Sequence, residues 1–243
     1  MTKGITKKNP EFDTSRIIER TLQRLTAGLT GIASSKREDW FLSLGHIFQR
    51  LRGREFLTQL LHEWNNYVIK GLIKDGYENT EQHKVCFQEL LDFLDNDSPD
   101  QVRFTALKRI FLTAATEQVS SRESVLPSQL MRICRTLSSG EILVLESAYR
   151  VLKVGKWNDR TISGASGWLG AVANESGLKY SALVTTYESE LIQKHLLTGR
   201  VYEDGSGVHL LPSFRLTDLA VRLCDFIQNS DSQRENTSHA NGT

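Results

Sequence analysis

The chain has 243 residues, of which 39% are hydrophobic and 24% charged, and its formal net charge is +1. A chain of this size and composition can bury a sizeable core, which excludes wholesale disorder and a disulfide-stapled miniprotein. No apolar run reaches the roughly 18 residues a membrane helix needs, and Met1–Ile5 is not followed by the apolar stretch of a secretory signal. The cysteines Cys86, Cys134 and Cys224 are far apart and form no CxxC pair. These features predict a cytoplasmic protein with reduced thiols and no membrane partner. The near-neutral total conceals an asymmetry. Residues 1–60 carry +5, residues 61–133 carry −3, residues 134–228 are neutral and residues 229–243 carry −1.

Residues 1–12 are polar and basic and read as a disordered arm. A helix is expected from an Asp13 or Thr14 cap, with Ile17, Ile18, Leu22 and Leu25 on one side, fading at Gly28 and Gly31. Residues 38–70 carry a long helical pattern (Trp40, Phe41, Leu44, Ile47, Phe56, Leu60, Leu61, Trp64, Tyr67) that Gly53 is expected to divide. Gly71 and Gly76 bracket a turn. Thr80 is placed to cap the next helix, with Val85, Phe87, Leu90, Leu91 and Leu94 as its apolar members. Ser98 is the expected N-cap and Pro99 the first residue of the helix through Val102, Phe104, Leu107, Ile110 and Phe111. A short helix with Leu130, Ile133 and Leu137 ends this part, so residues 13–137 read as one helical domain.

The order of elements changes after Leu137. Ser138-Ser-Gly-Glu141 has the spacing of a capping box ahead of Ile142, Leu143, Leu145 and Leu152. A Gly/Ser-rich break leads to a short helix with Trp168, Leu169 and Val172, closed at Gly177. A longer helix runs from Leu178 through Leu183, Val184, Leu191 and Leu196, with Gly199 as its stop. Two β-prone runs flank Asp204-Gly-Ser-Gly207, a hairpin signal. Thr217 is positioned to cap a last helix with Leu219, Leu223 and Phe226. Residues 229–243 read as a polar, disordered tail.

The succession of residues 138–228, above all Leu178–Ile227 with Leu216-Thr-Asp-Leu-Ala220 after the hairpin, resembles a winged helix-turn-helix. That resemblance implies a mainly α fold: an N-terminal helical domain, then a small winged-helix (α+β) module with one β-hairpin. The whole layout, with the segment Asp97-Ser-Pro-Asp100 to Leu112, resembles uncharacterised bacterial proteins grouped with abortive-infection (phage-defence) proteins.

In a DNA-binding winged helix the second helix enters the major groove with its first residues. Here these are Lys179, Tyr180 and Ser181, with Arg200 available to phosphate. Glu188 and Glu190 on the same helix, and Glu203 and Asp204 at the hairpin, oppose that use, and a neutral module has no electrostatic footprint. Arg50, Arg52 and Arg54 sit in the positive part of the chain and are the other candidates for an anionic partner, set against the plainer reading of a solvated helix face. The six histidines show no metal spacing, no phosphate-binding glycine loop follows a strand, and no serine sits in a nucleophile elbow. No catalytic residue, metal or cofactor is assigned. The expected function is a non-enzymatic interaction or regulatory protein. It docks on a protein partner or on itself through helical faces, in a setting such as bacterial phage defence. The alternative is a winged-helix DNA-binding regulator.

Overall fold

The computed structural model describes residues 21–22, 34–97, 99–116, 124–153, 165–199, 201–204, 207–210 and 215–239. For residues 34–41, 165–166, 201–204, 207–210 and 229–239 it describes the backbone alone. The basic arm at 1–12, the segment 154–164 and Arg200 lie outside these residues. The described part is mainly helical, at 80%, with nine α-helices. They are α1 (Ser34–Gln49), α2 (Leu51–Ile69), α3 (Glu81–Asn96), α4 (Gln101–Thr116), α5 (Leu126–Arg135), α6 (Ser139–Lys153), α7 (Ala165–Ser176), α8 (Ser181–Gln193) and α9 (Asp218–His239). Two compact units divide the chain: residues 1–99 with 111–131, and residues 100–110 with 132–243.

The first unit is built on α2 and α3. Leu57, Leu60, Leu61 and Trp64 on α2 and Cys86, Phe87, Leu90, Leu91 and Leu94 on α3 repeat at three- and four-residue intervals, and all are fully buried. The break between α1 and α2 falls at Arg50, which is extended, and not at Gly53. Gly53 lies inside α2, where an added Cβ would stand 3.2 Å from the Ile47 carbonyl oxygen. The glycine therefore permits the chain to fold back on itself at Arg50 and does not itself interrupt a helix. Gly71 and Gly76 do make the expected turn, with φ of 65° and 73°, a region open to glycine at no steric cost. Thr80 caps α3 by accepting from the His83 N–H at 3.1 Å.

The cap of α4 differs from expectation. Asp100 Oδ1 accepts from the N–H groups of Val102 and Arg103 at 3.0 and 3.1 Å, so Asp100 takes the role expected of Ser98. Both residue types satisfy the orphan N–H groups of a first turn. Ser98 itself lies outside the described residues.

The second unit packs helix on helix. Its buried side chains include Phe104 and Leu107 of α4, Val144, Leu145 and Ala148 of α6, Trp168 and Val172 of α7, Val184 and Leu191 of α8, and Leu223, Cys224 and Phe226 of α9. The expected winged-helix (α+β) module with its β-hairpin is thereby corrected. No strand lies in the part of the chain whose side chains are described. Backbone pairing runs from Val201 with Leu210 to Asp204 with Gly207. The glycine-rich turn signal encodes a local reversal of the chain. A two-stranded ladder alone is marginal without a packed apolar face, and the buried residues of this unit come from its helices and the residues beside them.

Candidate functional site

Of the sequence-selected basic residues, Arg50, Arg52, Arg54 and Lys179 are described and Arg200 is not. Arg50 sits between α1 and α2 and donates through Nη1 to the backbone carbonyl of Asp95, in the last turn of α3. A guanidinium there satisfies an orphan carbonyl and complements the negative end of the helix. Arg50 thus has a structural partner, while Arg52 and Arg54 are exposed on the first turn of α2. All three arginines are exposed. Lys179, Tyr180 and Ser181 are all exposed at the start of α8, and Tyr180 is its N-cap without a capping side-chain bond.

The exposed side of α8 has an unusual make-up. Ala182, Leu183, Thr185, Thr186 and Ser189 are exposed while Val184, Glu188 and Leu191 are buried. From Tyr180 to Ser189 no exposed residue carries a charge, in a chain that is 24% charged. The hydroxyls on this face are already used. Thr185 donates to the Ser181 carbonyl at 3.1 Å, Thr186 to the Ala182 carbonyl at 3.1 Å, and Ser189 to the Thr185 carbonyl at 3.0 Å. A polar group already bonded can leave water at far lower cost than a free one. Tyr180 and Leu183 stand out from this small-residue surface, at 69% and 42% exposure.

A polar network beneath α8 fixes that face. Glu188 is turned inward, paired with Arg215 at 2.9 Å, and it accepts the indole N–H of Trp168 on α7. The Arg215 guanidinium lies 5.5 Å from the Trp168 ring centre and donates to the Thr198 carbonyl, while Thr198 N–H returns a bond of 2.7 Å to the Arg215 carbonyl. The negative charge of Glu188 is therefore absent from the exposed face. At the middle of α8, Tyr187 rests on α6 at Gly140, where an added Cβ would fall 2.1 Å from the ring. At its C-terminal end, Lys194 donates to Glu141 and, at 2.9 Å, to the Thr136 carbonyl. Glu141 is the expected capping-box residue. It accepts from Ser138 N–H at 2.7 Å while its own N–H donates to the Ser138 hydroxyl at 3.3 Å. α8 ends at Gln193 and not at Gly199. His195 takes a positive φ of 58°, and Leu197 bridges to Leu216.

The exposed residues Leu183, Thr186 and Ser189 of this face are absent from the sequence-selected candidates. Their signal was the charge-free run Tyr180-Ser-Ala-Leu-Val-Thr-Thr-Tyr187 in a helical pattern. The Glu188–Arg215 pair had no readable signal, because its members lie on either side of the 201–210 segment.

The three cysteines are buried and free. Burial pushes the Cys86 and Cys134 thiols up to about 12 and raises Cys224 well above its ordinary value, which keeps them in the unreactive thiol form. Among the described residues no three or more His, Cys, Asp or Glu are grouped to hold a metal ion, and no helix is long and apolar enough to cross a membrane. No protein-family model, no curated protein and no solved structure matches the chain.

Proposed function

We propose that this chain is a non-enzymatic interaction protein whose docking surface is the exposed face of α8. The observation that carries the reading is that face itself. Its exposed residues from Tyr180 to Ser189 are uncharged, the Thr185, Thr186 and Ser189 hydroxyls are bonded to the helix backbone, and it carries an exposed aromatic and an exposed leucine. Protein interfaces are depleted of Lys, Glu and Asp at their centres and enriched in aromatic residues. The same bonds weigh against sequence reading on DNA. The hydroxyl protons of Thr185, Thr186 and Ser189 face the helix. Lys179 is the one cation beside them. A setting in bacterial phage defence rests on the layout resemblance alone.

The buried thiols make a direct test possible. Thr186→Cys introduces a single exposed thiol, and Asn174→Cys, on the exposed side of α7, provides a reference. Maleimide labelling in permeabilised cells, compared with labelling of dilute purified protein, reads docking at each position. The expected result is that Cys at 186 labels several-fold more slowly in cells while Cys at 174 does not. Equal slowing, or none, at the two positions overturns the reading.

A further inference from the structure

The α8 face also carries information about its occupant. Lys179 and Glu190 stand at its two ends, and neither has an ion-pair partner among the described residues. They are eleven residues apart, Lys179 just before the extended N-cap Tyr180 and Glu190 in the last turn of the helix. We propose, resting on the docking reading above, that the occupant is a second copy of this chain, with the two α8 helices packed antiparallel about a two-fold axis. One register satisfies both ends at once. It places Lys179 of each copy beside Glu190 of the other, Tyr180 over Ser189, and Leu183 against Thr186. Every member of that set is exposed or half-exposed in the single chain, and the buried positions Val184, Glu188 and Leu191 stay turned away.

A two-fold contact brings the same patch against itself, so a patch of one sign repels its copy. This patch escapes that penalty because its centre is neutral and its ends are opposite. A parallel pairing would set Lys179 against Lys179 and Glu190 against Glu190 and lose the advantage. The small side chains Ala182, Thr186 and Ser189 leave room for the larger Tyr180 and Leu183 of the other copy. A contact made by one helix of this length falls below the roughly 800 Å² per partner of a standard interface. The dimer is therefore weak and forms in a concentration-dependent way.

Sedimentation equilibrium of the full chain, from about 1 to 200 µM, tests this, since weak interfaces assemble in the micromolar range. Circular dichroism confirms that each variant is folded. The wild type is expected to shift from monomer to dimer across the range, and Leu183→Asp to weaken association at least tenfold. Lys179→Glu alone and Glu190→Lys alone each set like charges face to face and weaken association several-fold. The double variant Lys179→Glu with Glu190→Lys restores it, which a loss of folding would not do. A wild type that stays monomeric, or a dimer indifferent to Leu183→Asp, overturns self-pairing. So does failure of the double variant to recover. If a monomeric chain still shows the protection at position 186 in cells, α8 remains a docking face and the second copy is not its occupant. If that protection is absent too, both readings fall.

Discussion

Each of the two units buries a tryptophan completely, and they hold it by different means. In the first unit Trp64 stands in a ring cluster. Its centre is 5.2 Å from Phe111, 5.7 Å from His83 and 6.4 Å from Tyr77, and His83 stacks on Phe87 at 5.9 Å. Shape and dispersion hold this group. The Trp64 indole nitrogen and the Tyr77 hydroxyl are buried without a hydrogen-bond partner among the described residues, and burial raises the Tyr77 phenol well above its ordinary value. In the second unit Trp168 is held by a carboxylate that is itself held by a guanidinium. Aromatic packing of the first kind tolerates small changes because the load is spread over many weak contacts. A buried charge pair of the second kind is specific in geometry and fails when either member is lost.

The largest expected effect follows from that contrast. Glu188→Leu leaves the Arg215 guanidinium, 3% exposed, without its counter-charge and the Trp168 N–H without its acceptor. The expected loss is about 3–5 kcal/mol in urea unfolding, the range for breaking a buried ion pair. Adding Arg215→Met should recover much of it, because the uncompensated charge goes with it. If Glu188→Leu costs under about 1 kcal/mol, the pair is effectively solvated and the two units do not differ in the way described.

This contrast also marks how far the sequence could be read. Features written within one turn of helix were legible. Thr80, Thr217 and the Ser138–Glu141 box each make the bonds their spacing predicts, and Gly71, Gly76 and Gly177 all take the positive φ expected of them. Legibility failed where two residues competed for one role or where partners were distant. Ser98 and Asp100 both suit a cap by spacing, and the bonds of Asp100 to Val102 and Arg103 are not written in that spacing. Arg50 appeared as part of a basic cluster because nothing local shows that the end of α3 returns to it. Glu188 appeared as a surface charge on α8 until its distant partner Arg215 turned it inward. The hairpin signal at 204–207 supported a winged-helix (α+β) module, and the mainly helical fold corrects that reading. The make-up of the α8 face was visible in its residues, but the bonding of its hydroxyls was not.

A middle-sized effect separates two glycines that both lie under a neighbouring segment. At Gly140 an added Cβ would overlap the Tyr187 ring, at 2.1 Å. The ring must leave its place on α6, and α8 loses one of its two lateral supports. Gly140→Ala should cost about 2 kcal/mol, within the usual range for overpacking. At Gly53 the neighbour is the Ile47 carbonyl oxygen at 3.2 Å, which needs to yield only a few tenths of an ångström. Alanine there gains about 0.5–1 kcal/mol of helix preference, so Gly53→Ala should fall within about 1 kcal/mol of zero. Parallel thermal melts of the two variants measure the difference, and equal costs would show that Tyr187 moves aside freely.

The smallest effect is also the finest test, because it compares one atom in each unit. The Tyr149 hydroxyl of the second unit donates to Asp225 and accepts from Lys153 at 2.8 Å. Desolvation, followed by the bond to Asp225, raises its phenol above the ordinary value. Removing that oxygen strips a carboxylate of a donor and an ammonium of an acceptor. Tyr149→Phe should therefore cost about 1 kcal/mol, a typical net hydrogen bond. The Tyr77 hydroxyl of the first unit is desolvated without a partner among the described residues in return. Its removal discards a polar group that folding had to strip of water, and the ring contacts to Trp64 and His83 remain. Tyr77→Phe should be neutral or stabilising by up to about 1 kcal/mol. The two variants thus carry the same chemical change with opposite expected signs, and chemical denaturation of both resolves it. A Tyr77→Phe protein destabilised as much as Tyr149→Phe would mean that the first unit also depends on polar bonds, and the contrast between shape-held and charge-held tryptophans would no longer stand.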